Sequence, residues 1–121
     1  MRGRRGVGAD AERAGREWFD ETLRAARDVH TIGERRASEG ILLALDRWFI
    51  DRGDLRGPSG ELALVVEAVL ADGVLADRRG IRYDRAESVL GNALGEHLTL
   101  TFDDVERLGD AFFAHLSRHG R

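Results

Sequence analysis

Two histidines, His115 and His119, stand four residues apart, the spacing that brings two imidazoles on one helix face within reach of a single metal ion. His97 or Asp110 would supply a third ligand. The pair lacks the intervening acid of the zinc-protease pattern, and cationic side chains in a last helical turn serve the helix dipole equally well. His30 falls at an expected helix end, where it reads as a boundary residue rather than the exposed mid-helix imidazole of a phosphorelay. The serines Ser38, Ser59, Ser88 and Ser117 include none in a Gly-x-Ser-x-Gly elbow. The chain has no cysteine, which excludes a thiol nucleophile, cysteine-ligated zinc, an iron–sulfur cluster and a disulfide scaffold. It has no lysine either, which removes a Walker lysine and a Schiff base. No complete catalytic set and no cofactor are expected.

Acids gather at Asp72, Asp77 and Asp84 beside Gly73 and Gly80. A calcium loop needs oxygen ligands at alternate positions. From Asp72 the third and fifth positions are Val74 and Ala76, and from Asp77 they are Arg79 and Ile81, so the pattern fails in both registers. The triplet Ala71-Asp72-Gly73 resembles the turn of tellurite-resistance-type helical domains. The acid that such a turn places shortly afterwards is replaced by Arg78 and Arg79, and nothing is carried over from the resemblance.

Arg78, Arg79, Arg82 and Arg85, with Tyr83 among them as a stacking group, could meet a nucleic-acid backbone. The Arg2-Gly-Arg-Arg5 stretch could add to it. Against this, Asp77, Asp84 and Glu87 lie close enough to neutralise the group, and no helix-turn-helix spacing is visible. All 19 basic residues are arginine. Three stand in residues 1–8 without an acid, and the rest of the chain carries 16 arginines against 22 acids. A net acidic body disfavours broad non-specific binding to nucleic acid, which needs clustered positive charge.

Apolar residues raise a different prospect. Leu43 and Ile50 point away from the main stripe of their expected helix, and Trp18, Phe19 and Phe113 exceed what single inward faces require. Either the second and third helices are central, or these side chains form a surface for a second copy or another protein. The leading expectation is therefore a non-catalytic protein-interaction module (an adaptor, regulator or inhibitor) that self-associates as a homodimer. A nucleic-acid-associated subunit using the arginine-rich loop is the alternative. A small metal-binding protein or enzyme using His97, His115 and His119 is a third.

The elements that must position these groups are helical. Residues 1–8, with three glycines, read as an arm. A first helix is expected over about 9–30 with Ala11, Ala14, Trp18, Thr22, Ala25 and Val29 inward, flanked by Phe19, Leu23 and Ala26. Thr31-Ile32-Gly33-Glu34 forms a capping-box pattern before a second helix over about 32–52. The glycine- and proline-containing stretch 52–60 is the clearest break. A third helix over about 59–72 is apolar almost all round, with Glu61, Glu67 and Asp72 as its polar edge and Gly73 as its cap. Residues 74–83 could form a short hairpin, and Leu98, Leu100 and Phe102 alternate like an extended segment. Ala86, Val89, Leu90, Ala93 and Leu94 give the strongest periodic signal and predict a fourth helix over about 85–96. A fifth opens at Thr101-Phe102-Asp103-Asp104 and carries Val105, Leu108, Phe112 and Leu116.

The sum is an all-α domain, a compact five-helix bundle over residues 9–121 with a hairpin as an option between the third and fourth helices. A length of 121 residues fits one domain, and 42% apolar residues suffice for a core. The longest apolar runs, Ile41–Leu45 and Leu62–Val66, fall far short of the ~20 residues of a membrane span. No apolar stretch follows the N-terminal arginines, so no secretory signal is expected and the cytoplasm is the expected compartment.

Overall fold

The computed structural model describes residues 8–29 and 33–119, with His119 described in its backbone only. The expected arm and the Thr31-Ile32 part of the capping box lie outside them, Gly8 apart. Four α-helices are present among the described residues: α1 (Ala9–Asp28), α2 (Glu34–Trp48), α3 (Gly57–Leu70) and α4 (Phe102–His119). The protein is all-α.

Local chemistry accounts for the helix boundaries. Pro58 sits in the first turn of α3, where its missing N–H costs nothing. After α3 the chain turns at Gly73, whose φ of 82° is the left-handed conformation, and its N–H bonds to the Ala68 carbonyl. At the start of α4 the Thr101 hydroxyl accepts from Asp104 N–H at 3.1 Å, and the Asp104 carboxylate accepts from Thr101 N–H at 3.1 Å, a reciprocal cap.

Two aromatic and aliphatic layers meet on α2 and α4, which touch each other and both outer helices. α1 lies on one side of this pair and α3 on the other, so of the second and third helices only α2 has helices on both sides. The second side of α3 is covered by the long connection over residues 71–101, from which Leu75, Ile81, Leu98 and Leu100 are buried. On the α1 side Phe19, Phe49, Phe112 and Phe113 stack edge to face at centroid distances of 5.5–5.8 Å. Such pairs add to area burial because ring edges meet ring faces. The α4 stripe Val105, Leu108, Phe112 and Leu116 is wholly buried, as its spacing predicts.

Two expected elements are replaced. Residues 85–96 make only a 3-10 turn (Arg85–Glu87) instead of a fourth helix. Asp84 does cap it, accepting from Ala86 N–H at 3.0 Å. The helix stops because Gly91 (φ 76°) and Gly95 (φ 91°) take the left-handed conformation, and because the N–H groups of Val89 and Leu90 bond to Glu61 on α3 rather than back along the chain. The hairpin over 74–83 is absent as strands: Arg78 and Ile81 close a single bridge around Arg79-Gly80. Residues 73–75 instead run antiparallel to 95–98, through Leu98 N–H to Gly73 O, Leu75 N–H to Glu96 O and Gly95 N–H to Leu75 O.

The face that α1 buries is also displaced from the expected one. Gly15, Phe19 and Leu23 point inward, and Ala11, Ala14, Ala25 and Val29 of the expected inward stripe are exposed. The side-chain volumes explain this: a core facing Phe112 and Phe113 gains more from Phe19 and Leu23 than from alanines, at about 25 cal/mol per Å2 of apolar surface removed from water.

Candidate functional site

Arg52, Asp54, Ser59 and His115 are bonded to one another and to the fold. Arg52, at the end of the α2 turn, is 4% exposed. Its Nε donates to Ser59 Oγ at 2.6 Å, its Nη1 to Phe49 O at 3.0 Å and its Nη2 to Ser59 O at 3.0 Å. Its Nη2 also pairs with Asp46 Oδ1 at 2.9 Å, and its guanidinium carbon lies 5.3 Å from the Phe112 ring centroid. The Ser59 hydroxyl donates to Asp54 O, which leaves it no proton to offer a base.

His115 is buried on α4, with Nε2 2.9 Å from Asp54 Oδ2. Asp54 Oδ1 accepts from the backbone N–H of Arg56 at 2.9 Å and from Arg56 Nε at 3.0 Å. Burial alone would push the Asp54 carboxyl up, but the hydrogen bonds from Arg56 and His115 outweigh it and hold the group at about 2. The folded value lies below the unfolded one of 3.8, so Asp54 stabilises the fold above pH ~4 and that contribution is lost as pH falls toward 2. Asp54→Asn should therefore flatten the acid limb of the stability profile between about pH 4 and 2, read from urea midpoints against pH. An unchanged limb would show that this carboxylate does not set it.

The three histidines do not form one site. His115 adjoins Gly57 at the start of α3, whereas His97 lies against Gly73 beyond its far end. A helix of 14 residues separates the two by roughly 20 Å. The side chain of His119 lies outside the described residues. Among the described residues no group of three or more His, Asp or Glu side chains is placed to hold a metal ion.

The arginine-rich loop is divided. Arg78 pairs with Glu67 at 2.6 Å, and Arg85 Nε donates to Gly91 O at 2.8 Å. Arg79 and Arg82 are exposed. The Tyr83 hydroxyl donates to Asn92 O, fixing a half-buried ring. Arg82 and Tyr83 line a cleft of about 380 Å3 with Arg56, but Glu61, Asp84 and Glu87 line it too, so it is not a positive groove.

The apolar candidates separate as well. Phe19 and Phe113 are buried within the protomer and offer no surface to a partner. Leu43 is half-buried against the core. Ile50 is 55% exposed, and Trp18 is half-buried with its ring stacked on Trp48 at 5.1 Å. Trp48 is itself 45% exposed. The spacing of Ala37, Ile41, Ala44, Leu45 and Trp48 predicts one inward stripe on α2, but Ala44 and Trp48 are exposed. Trp48 is the last residue of α2, and the chain leaves the helix at Phe49, whose ring takes the place in the core among Phe112 and Phe113. Sequence reasoning also missed buried Glu61, which it placed on a polar edge.

No protein-family model matches the sequence, and neither the curated proteins nor the solved structures give a match. Among the described residues no helix is long and apolar enough to cross a membrane.

Proposed function

We propose that this chain is a non-catalytic protein-interaction module that acts through its α1/α2 face, as an adaptor, regulator or inhibitor of a protein partner. The observation that carries this reading is the pair of large side chains at the end of α2, Trp48 at 45% and Ile50 at 55% exposure, beside the stacked Trp18. Contact surfaces are enriched in aromatic anchors of this kind, and the side chain of a tryptophan is costly to leave in water without a use. The reading is supported from the other direction by the bonding of Arg52, Asp54, Ser59 and Glu61 to the fold itself, which makes them supports and not reagents.

The test is photo-crosslinking in the native host from a probe at position 44 or 50. A defined protein adduct, another copy of the chain included, is the expected result. Absence of any protein adduct there, with nucleic acid captured from the same probe at position 79, would overturn the reading in favour of the arginine loop.

A further inference from the structure

The α1/α2 face is more extended than its two tryptophans. On α1, Ala11, Ala14, Trp18 and Ala25 recur at spacings of three, four and seven and so share one helix face, with Val29 just past the helix end. All are exposed except the half-buried Trp18. On α2 the exposed Ala44 and Trp48 continue it. The short connection makes the two helices antiparallel neighbours, and the Trp18–Trp48 stack sets their levels.

Charge frames this apolar strip asymmetrically. Along the outer edge of α1 stand Glu17, Glu21 and Asp28, with Arg24 among them, so that edge is net acidic. Along the outer edge of α2 stand Arg36 and Arg47. All six are exposed, and none has an ion-pair partner among the described residues. The other arginines of these helices are differently placed: Arg13, Arg16, Arg27 and Arg35 are paired with acids.

A strip with an acid edge and a base edge is its own complement under one symmetry operation. We infer that a second copy of this chain covers it, related by a two-fold axis lying in the contact plane and parallel to α1 and α2. That rotation brings α1 of one protomer against α2 of the other at the same level. Glu17 and Glu21 then face the partner's Arg47, and Asp28 faces the partner's Arg36. A two-fold axis perpendicular to the helices would set acid edge on acid edge, so the charges select one orientation of the dimer and not merely a sticky patch. The alanines let the backbones approach closely and the paired tryptophans fill the middle. The dimensions are adequate: α1 has 20 residues, about 30 Å, and two helices abreast span about 20 Å, a footprint of about 600 Å2 per partner, at the lower bound of a standard interface.

This inference rests on the protein-interaction reading and narrows it to a self-partner. The experiment is sedimentation equilibrium of the full chain up to about 1 mM, where even weak specific association registers. The wild type should show a reversible monomer–dimer equilibrium. Trp48→Asp should raise its dissociation constant at least ten-fold while leaving the circular dichroism unchanged. Glu17→Arg and Arg47→Glu should each weaken the dimer several-fold, because the first sets arginine against arginine twice across the axis and the second sets its new carboxylate against both Glu17 and Glu21 of the other copy, twice over. The chain carrying both changes should recover, and so should an equimolar mixture of the two single variants. A wild type that stays monomeric, or reversal without recovery in the double variant and the mixture, overturns the inference. A monomer that still crosslinks to a different protein from position 44 would sink the dimer and leave the broader reading standing. A chain that does neither loses both.

Discussion

Replacing Arg52 by alanine should lower folding stability by about 3–5 kcal/mol, the cost of removing one partner of a buried ion pair. The guanidinium is 3% exposed and is the hub of a small buried network. Truncation leaves the Asp46 carboxylate, 16% exposed, without its cation, and takes the side-chain donors from the carbonyls of Ser59 and Phe49, of which Phe49 keeps only the backbone N–H of residue 52 at 3.1 Å. It also removes the cation from the Phe112 ring face. A domain of this size has only about 5–15 kcal/mol in total, so the loss should be about a fifth or more of it. Arg52→Lys should recover little, since an ammonium cannot reach Asp46, Ser59 and Phe49 together as the planar fork does. Urea unfolding measures this directly, and a loss below about 1 kcal/mol would show that the network is not a determinant of the fold. The effect has a second readout. Arg52 Nη1 holds the carbonyl of Phe49, the residue between Trp48 and Ile50, so a relaxed turn in Arg52→Ala should also weaken any association made by those two side chains.

The pattern of failures in the sequence reading has a physical cause. Elements whose determinants are local are legible: the apolar girth of α3, the Thr101–Asp104 cap and the α4 stripe appear where the residues place them. The face of α1 is not legible from period alone, because alanines counted equally with Phe19 and Leu23 define a stripe rotated away from the buried one. The partners of the buried polar groups are legible only in space. His115 meets Asp54 across 61 positions of sequence, so its spacing from His119 says nothing about its bonding. The same is true of the candidate surface: Trp18 and Trp48 look like core residues until α1 and α2 are laid side by side.

The segment 85–96 is where a non-local bond defeats the strongest local signal, and Glu61 is the residue to change. Its carboxylate, 5% exposed, accepts from Val89 N–H at 2.8 Å and from Leu90 N–H at 3.0 Å. Each hydrogen bond to a charged group contributes about 1.5–3 kcal/mol, and each orphaned half-buried donor costs about 1–3. Glu61→Leu should therefore destabilise the fold by about 2–5 kcal/mol. Glu61→Gln should do so by roughly half as much, since its one carbonyl oxygen can accept from one N–H while the amide group opposes the other. The direct measurement is hydrogen exchange at Val89 and Leu90, which should speed up in both variants and more in the leucine. Persistent protection of those two amides in Glu61→Leu would show that packing of Val89 and Leu90, and not the carboxylate, pins the connection. Released from Glu61, the segment has the i, i+3, i+4 pattern to coil into the helix its sequence suggests. It should not do so: Gly91 and Gly95 hold φ values of 76° and 91°, and each glycine inside a helix costs about 1 kcal/mol relative to alanine. Far-ultraviolet dichroism of Glu61→Leu should thus show no gain of helix, whereas the same variant with Gly91→Ala and Gly95→Ala should show one. The carboxylate and the two glycines would then be seen to act together, one bonding the chain outward to α3 and the others keeping it from turning back on itself.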